Sequence, residues 1–158
     1  IVADGFASEI FERMKVGQKV TMKGPFGHFV FDDKTTNGHW FIGGGTGLAP
    51  LYSIIREYLP HHPSKEFRLI IGYRTSADLL MHQELSDLKV SNPNFDYVPI
   101  LSRETWEGKI GHVQDHLGKD LNNKTFYICG LKELVLETQQ LLLSKGVKPE
   151  NIKFERYS

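Results

Sequence analysis

The chain has 158 residues, nineteen of them basic and nineteen acidic, so its formal net charge is zero. This length corresponds to about one domain with a sizeable core. The neutral charge argues against a general binder of nucleic acid or anionic membranes, which would need a basic surplus. No apolar run approaches the roughly 18 residues of a membrane span. The single cysteine, Cys129, forms no internal disulfide or metal site alone, which favours a reducing compartment, the cytoplasm.

The first part of the chain differs in pattern from the rest. Residues 19–23 alternate with the period of a strand, and the turn sequence Gly24–Gly27 ends that pattern. Residues 1–35 are therefore expected to form short strands, and the polar run 32–38 is expected to be a domain boundary. The chain begins with Ile rather than Met, has no signal peptide pattern, and is expected to be part of a longer protein.

From His39 onward, predicted strands and helices alternate. Such alternation is typical of right-handed βαβ units, so we predict an α/β fold with a doubly wound, five-stranded parallel sheet. Ligands in such sheets bind beyond the carboxyl ends of the strands, where the strand order reverses. The predicted strands are 39–42, 67–73, 95–101 (weakened by Pro99), 125–129 and 152–157, and the predicted helices are 48–59, 78–89, a short one within 111–117, and 131–144.

A glycine-rich loop joins the first of these strands to its helix. Four glycines in five residues permit positive φ and close approach of a ligand, and the following helix end favours a pyrophosphate. Ala49 is small and is expected to let the helix lie near the sheet. The loop lacks the Gly-Lys-Ser/Thr of a Walker motif, and Pro50 stands where a dinucleotide fingerprint has its third glycine. The residues alone predict a phosphate-binding α/β domain; a tight turn without a ligand is the simpler alternative.

The loop sequence Gly-Gly-Gly-Thr-Gly-Leu-Ala-Pro resembles the nicotinamide-nucleotide motif of the ferredoxin–NADP reductase superfamily. Other segments resemble that family in the same order: Gly5–Ser8 its flavin-pyrophosphate segment, 16–27 the end of its flavin barrel, Cys129-Gly130 its Cys-Gly strand end, and 154–157 its aromatic terminus. The upstream Arg-x-Tyr-Ser flavin segment and a four-cysteine [2Fe–2S] pattern are not in this chain. The resemblance implies that residues 1–37 are the incomplete end of an FAD-binding β-barrel and 38–158 an NAD(P)H-binding domain, and that the chain alone binds FAD poorly.

The resemblance also implies roles for individual residues. Thr46 and Cys129 would lie at the nicotinamide and align it for hydride transfer, with Gly130 leaving room for a flat ring. Alternatives stay open: the Thr46 hydroxyl bonding nearby backbone and Cys129 as a small buried side chain. The remaining cofactor-binding candidates are Gly43, Gly44, Gly45, Gly47, Leu48, Ala49 and Pro50 for the pyrophosphate, and Gly5, Ser8 and Tyr157 for the flavin. Ser8 alternatively caps a helix over 9–15, and Tyr157 alternatively fills an edge.

Arginines follow the second and third strands. An Arg at such a strand end accommodates the 2′-phosphate of NADP, and Arg74 with the Ser102-Arg103 pair fits that pattern. The segment Ser102-Arg103-Glu104 resembles the phosphate-binding segment of NADP-dependent members of the family, whereas 106–111 resembles oxygenase-coupled reductases, many of which use NADH. The choice between NADH and NADPH is left open, with the arginines tilting it towards NADPH. The histidines show no ligand spacing, so no metal site is expected.

The resemblance therefore implies an FAD-dependent NAD(P)H oxidoreductase that passes electrons to an acceptor protein or iron–sulfur domain, such as ferredoxin or an oxygenase. A non-catalytic nucleotide-binding or regulatory module on the same fold is the alternative. A hydrolase would need a nucleophile beside a histidine at a strand end, and none is present in the pattern. The sequence leaves the acceptor, the domain order of the parent and the oligomeric state open.

Overall fold

The computed structural model describes residues 6–157. Its helices and strands alternate from residue 38 onward. In chain order they are α1 (Phe6–Arg13), β1 (Gly38–Gly44), α2 (Leu48–Tyr58), β2 (Phe67–Tyr73), α3 (His82–Ser91), β3 (Phe95–Leu101), β4 (Lys109–Ile110), β5 (Lys124–Leu131), α4 (Lys132–Ser144) and β6 (Ile152–Tyr157).

The strands form one sheet in the order β4-β3-β2-β1-β5-β6, and every neighbouring pair is parallel. The chain builds one half of the sheet outward from β1 to β4 and then returns to place β5 on the other side of β1. The strand order therefore reverses between β1 and β5. In a doubly wound sheet this reversal opens a crevice at the carboxyl ends of the two strands.

Two hydrophobic cores cover the two faces of the sheet, because successive strand side chains point to opposite faces. Phe41 of β1 packs with Leu51 and Ile55 of α2 on one face. Ile42 packs with Val135 of α4 on the other. All five side chains are fully buried, which confirms the predicted doubly wound α/β fold.

The first part of the chain departs from the prediction. Within residues 14–37 the structure has no strand, so the predicted strand at 19–23 is wrong for this structure, and α1 precedes the irregular segment. A strand needs a neighbour for its backbone hydrogen bonds, and an isolated extended segment has none. Of this segment, Phe29 and Phe31 pack against the sheet core, whereas Val20 and Met22 are exposed.

Two further differences concern the sheet edge and the third helix. The sheet has six strands instead of the predicted five, because the two-residue strand β4 pairs with Ile100 and Leu101 at the end of β3. Helix α3 begins at His82 rather than at residue 78, and Leu80, which lies within the predicted helix, is exposed. The short helix predicted within 111–117 is a single 3₁₀ turn, Val113–His116. The other predicted strands and helices are present, with end residues that shift by a few positions.

Pro99 lies inside β3 without interrupting it. The Leu101 carbonyl accepts a hydrogen bond from Gly111 on the β4 side, and groups two residues apart on a strand face the same side. The ring nitrogen of Pro99 therefore faces the open edge, where no ladder hydrogen bond is lost. None of the helices found between residues 6 and 157 has the length and apolar character to cross a bilayer.

Candidate functional site

The glycine loop lies at the reversal of strand order, as predicted, between the ends of β1 and β5. Its first two glycines serve packing. A Cβ on Gly43 would lie 2.8 Å from Leu51 Cδ1 of α2, and one on Gly44 would lie 2.8 Å from Leu134 Cδ1 of α4. The end of β1 is thus thin enough for both covering helices to approach, one from each face.

Gly47 and Gly45 have different roles in the same loop. A Cβ on Gly47 would overlap the Cys129 carbonyl oxygen and lie 2.7 Å from its carbonyl carbon, so the start of α2 rests directly on the end of β5. Gly45 has φ +52°, and a Cβ there would meet nothing within 4 Å. The backbone at Gly45 is therefore uncovered, and a ligand can approach it closely.

The other loop residues divide into buried and exposed ones. Leu48 is buried in the core, whereas Thr46 and Ala49 are exposed. The expectation that Ala49 lets the helix approach the sheet is wrong, because Gly47 makes that contact. Among residues 6–157 the Thr46 hydroxyl has no hydrogen-bond partner, so it is free to contact a ligand. Pro50 is the third residue of α2, where a backbone N–H has no partner within the helix.

Cys129 pairs with Gly43 across the β1–β5 boundary and has no exposed surface. Burial raises the pKa of its thiol above the ordinary value, and the nearby Tyr157 hydroxyl only partly opposes this rise. Burial likewise raises the pKa of the Tyr157 hydroxyl. Tyr157, at the end of β6, is half-buried and packs against the core cluster that contains Cys129. A neutral, covered thiol is suited to packing and unsuited to nucleophilic attack.

The ends of β2 and β3 carry the predicted arginines. The Ser102 N–H donates to the Tyr73 carbonyl at 3.0 Å, and the Arg103 N–H donates to the Arg74 carbonyl at 2.9 Å. The Ser102 hydroxyl also donates to the Tyr73 carbonyl, at 3.2 Å. These bonds hold the two loops side by side, and both arginines are exposed. The structure therefore brings Arg74, Ser102 and Arg103 together.

Two acidic residues, missed in the sequence, lie in the same place. Both oxygens of the Glu104 carboxylate accept from the Ser76 hydroxyl, at 2.9 and 3.0 Å, and one accepts from the Ser76 N–H at 2.8 Å. The Asp78 carboxylate accepts from the Thr75 N–H and hydroxyl, both at 2.9 Å. These Thr75 hydrogen bonds hold the pKa of Asp78 below its ordinary value, with a smaller contribution from Arg74 and Arg103. The Thr75–Asp78 spacing of a capping box was a readable signal. Glu104 belongs to the Ser102–Glu104 segment, but nothing in the sequence indicates its contact with Ser76.

Two of the three predicted flavin contacts, Gly5 and Ser8, lie near the beginning of the chain. Gly5 is outside the described residues. Ser8 is the third residue of α1, so it lies inside the helix rather than capping one at 9–15. No group of three or more histidine, cysteine or acidic side chains within residues 6–157 is arranged to hold a metal ion.

A model of the oxidoreductase NAD-binding domain matches residues 41–140. This chain belongs to that family. The matched residues run from β1 into α4 and include the glycine loop, the two arginine-bearing loops and Cys129. The loop that leaves the end of β1 open at Gly45 is therefore the loop of an oxidoreductase NAD-binding domain.

Individual relatives agree with this assignment. The chain is 30% identical over 97% of its length to a subunit of the Na⁺-translocating NADH-quinone reductase of Klebsiella pneumoniae, and it covers 40% of that subunit. It is 29% identical over 98% of its length to the reductase component of phenol 2-monooxygenase from Pseudomonas sp., of which it covers 45%. This NAD-binding domain chain thus spans less than half of these curated relatives.

A solved structure extends the agreement to the fold. A ferredoxin NADP⁺ reductase from Neisseria gonorrhoeae, with bound FAD and NADP, matches with a TM-score of 0.79 over 98% of this chain and 71% of that one, at 23% identity. The resemblance to the ferredoxin–NADP reductase superfamily is confirmed. The family model and the relatives are those of oxidoreductases, and the fold matches a ferredoxin reductase.

Proposed function

We propose that this chain is the nicotinamide-nucleotide half of an FAD-dependent oxidoreductase that takes hydride from NADH or NADPH. The observation that carries the proposal is Gly45, whose positive φ and empty surroundings leave backbone open at the reversal of strand order. At the start of α2 the Leu48 N–H donates to the Gly45 and Thr46 carbonyls and Pro50 has no N–H, so the Ala49 N–H is the donor of this turn that suits a phosphate oxygen. The cofactor supplies the hydride when it is bound, and the flavin passes electrons on singly.

The proposed role of this chain's own residues is to bind the nucleotide and to orient its nicotinamide. Gly43, Gly44 and Gly47 let the helices and the end of β5 lie close to the loop, beside the open backbone of Gly45. The exposed Thr46 hydroxyl is the polar side chain nearest in sequence to this opening and is proposed to contact the nicotinamide. Positioning of this kind is the protein's contribution when the cofactor carries the chemistry.

Cys129 and Tyr157 form the other wall of the proposed nicotinamide site. Cys129 is fully buried and neutral, so its role is to shape the site at the end of β5. Gly130, next along the strand, has no side chain to fill the crevice. Tyr157 is the half-buried aromatic residue in contact with this wall, and it is proposed to meet the flavin.

The remaining parts of the proposal concern the flavin side. Residues 1–37 are proposed as the end of an FAD-binding barrel and residues 38–158 as the NAD(P)H-binding domain. The exposed apolar side chains of the first part, Val16, Met22 and Phe26, support this, since exposed apolar surface is expected of an incomplete core. Gly5 and Ser8 are proposed to contact the flavin phosphates.

The electron acceptor is proposed to be a protein, either an iron–sulfur domain, ferredoxin or an oxygenase. The phenol 2-monooxygenase reductase component supports an oxygenase as the acceptor class. A cytoplasmic location stays a prediction from the single buried cysteine. A non-catalytic nucleotide-binding module, the alternative, would bind nucleotide without reducing any flavin.

The test of the nucleotide site compares two glycines of similar conformation, one in the glycine loop and one elsewhere in the chain. Gly45 and Gly118 both have positive φ, +52° and +77°, and neither has an atom within 4 Å of a built Cβ. Gly45→Ala and Gly118→Ala should each lower the free energy of unfolding by about 1 kcal/mol. Calorimetric titration with NADH and NADPH should show affinity reduced about tenfold in Gly45→Ala alone, because only that Cβ blocks a ligand. Equal affinity in both variants would overturn the site.

A second measurement separates the enzyme from the binding module. Titration with FAD should show weak binding, and bleaching of the flavin by NADH or NADPH under anaerobic conditions should require FAD and an intact Gly45. Nucleotide binding without flavin reduction at saturating FAD would support the module. Tight stoichiometric FAD binding would contradict the proposed division at residue 38.

A further inference from the structure

The outer edge of β6 is open. β6 is the last strand in the order of the sheet, and its outer side has no strand partner among residues 6–157. The strand contains no proline, so all of its outward N–H and C=O groups are able to pair with a further strand. Phe154, near the middle of the strand, is 42% exposed. This edge therefore has both the backbone groups and the apolar side chain that an added strand would contact.

The side chains of β6 alternate in position and in charge. Ile152 belongs to the core that α4 covers, so Phe154 points to the same face of the sheet. Lys153 and Glu155 point to the opposite face. The Lys153 ammonium lies 3.4 Å from the Asp32 carboxylate, whereas Glu155 is exposed and forms no ion pair within residues 6–157. The open edge thus carries a basic side chain and an unpaired acidic one, two residues apart on one face.

This pattern is self-complementary in one register. A second copy related by a twofold axis perpendicular to the sheet places its β6 antiparallel to the first, and residues that lie directly opposite share a face. The axis must therefore pass through a residue. At Lys153, Glu155 or Arg156 it sets two identical charges opposite each other, which is destabilising. At Phe154 it sets Lys153 of each copy opposite Glu155 of the other, so both flanking pairs have opposite charge.

We propose that two copies of this chain associate through β6, antiparallel, with the twofold axis at Phe154. The two Phe154 rings meet at the centre on one face, and the two Lys153–Glu155 pairs flank the axis on the other. The alternating charges select this register against its neighbours. Because both copies use the same edge, the contact closes on itself and stops at two. The inference goes beyond the proposed function and does not depend on it.

The test is a charge exchange across the axis, measured by sedimentation equilibrium of the full chain up to about 1 mM, since so short a pairing is a small and weak interface. Glu155→Lys and Lys153→Glu each create two like-charge pairs, so each should weaken dimerisation by about tenfold or more. An equimolar mixture of the two variants pairs opposite charges only and should regain the native association. Glu107→Lys, an exposed acid at the other side of the sheet with the same change in charge, is the matched control and should leave association unchanged.

Thermal melting of each variant comes first, because Lys153→Glu also places a second acid beside Asp32. If that variant does not fold, the native dimer must still weaken as salt is raised from about 0.05 to 0.5 M, because screening acts on the two ion pairs. Association through the exposed apolar side chains of residues 16–26 would instead survive Glu155→Lys. A native chain that stays monomeric throughout, a dimer that Glu155→Lys or added salt leaves unchanged, or a mixture of folded variants that does not regain association would each overturn the proposal.

Discussion

The two ends of the sheet are built in opposite ways. At the amino ends of the strands, large side chains fill the space: the Phe31 ring stacks on Tyr58 with centroids 4.1 Å apart and lies 4.4 Å from His39 and 5.8 Å from Tyr127. At the carboxyl ends, glycines take the corresponding places: Gly43 and Gly44 end β1, Gly45 and Gly47 follow it, and Gly130 lies in β5.

This difference indicates that stability depends mainly on one end of the sheet and ligand binding on the other. The aromatic end buries apolar area and ties the segment before β1 to the sheet, with the Asp32 N–H donating to the Tyr127 hydroxyl at 3.0 Å. The glycine end gives up such contacts, since it has no side chains to bury, and gains open backbone and close helix approach. Changes at the first end should alter folding, and changes at the second should alter binding.

The largest expected effect is at the aromatic end. Phe31→Ala removes a half-buried ring that contacts five aromatic neighbours, and should lower the free energy of unfolding by about 3 kcal/mol. Urea denaturation measures the loss, and Phe26→Ala, at an exposed ring, is the control that should change little. Nucleotide affinity of the folded variant should equal that of the native chain; a large drop in affinity would mean that the two ends are not independent.

A pH dependence of similar size should come from His39 at the same end. Burial, with the nearby Lys65, lowers the pKa of His39 from 6.5 to about 4, and its Nε2 has no partner among the described residues. The unfolded chain therefore binds a proton between these values that the folded chain refuses, so the free energy of unfolding falls as the pH is lowered from 6.5 towards 4, by about 3 kcal/mol in all.

His39→Gln should remove this part of the pH dependence, because glutamine does not titrate in the range. His28→Gln, at an exposed histidine, should leave it in place. Denaturation curves of the three proteins between pH 4 and 7 make the measurement. If the native chain and His39→Gln lose stability in parallel over this range, His39 is not the group responsible.

A substitution at the glycine end should give the smallest change in stability of the three. It should change nucleotide binding more than a substitution at the aromatic end does. Gly47→Ala places a methyl group against the Cys129 carbonyl and should cost about 2 kcal/mol of stability. It should also weaken NADH and NADPH binding, because the start of α2 must move away from β5. Gly72→Ala is the matched glycine at the end of β2, where the nearest atom is a side-chain methyl at 3.2 Å that can shift. Its stability and affinity should both stay close to the native values.

The sequence predicts most of the layered fold, since the buried strands and the helices α2 and α4 have clear periodicity and clear ends. The predicted start of α3 is wrong because apolar Leu80 continues the helical spacing. In the structure the Thr75–Asp78 box closes a separate turn, and Met81, with φ +55°, breaks the chain direction before His82. A local pattern does not reveal a single left-handed residue of this kind.

The site is predicted in outline and not in its polar detail. The glycine loop, the Cys129-Gly130 strand end and the two arginine loops follow from residue type and position along the chain. Glu104 bonds to Ser76, twenty-eight residues earlier, and no spacing rule reports a contact between two loops. The different roles of the loop glycines also cannot be predicted from the sequence, because they depend on which helix covers which face of the sheet.

The proline in β3 has a consequence for contacts between molecules. Beyond Ile100 and Leu101, the outer side of β3 has no strand partner among residues 6–157, and such an edge is a template for pairing with another chain. Pro99 offers that edge no donor, and the Tyr97 carbonyl already accepts from the Lys89 ammonium at 3.4 Å. A strand from another molecule would meet no N–H donor at Pro99 and an already bonded carbonyl at Tyr97. This edge therefore resists the sheet-to-sheet growth that leads to aggregation.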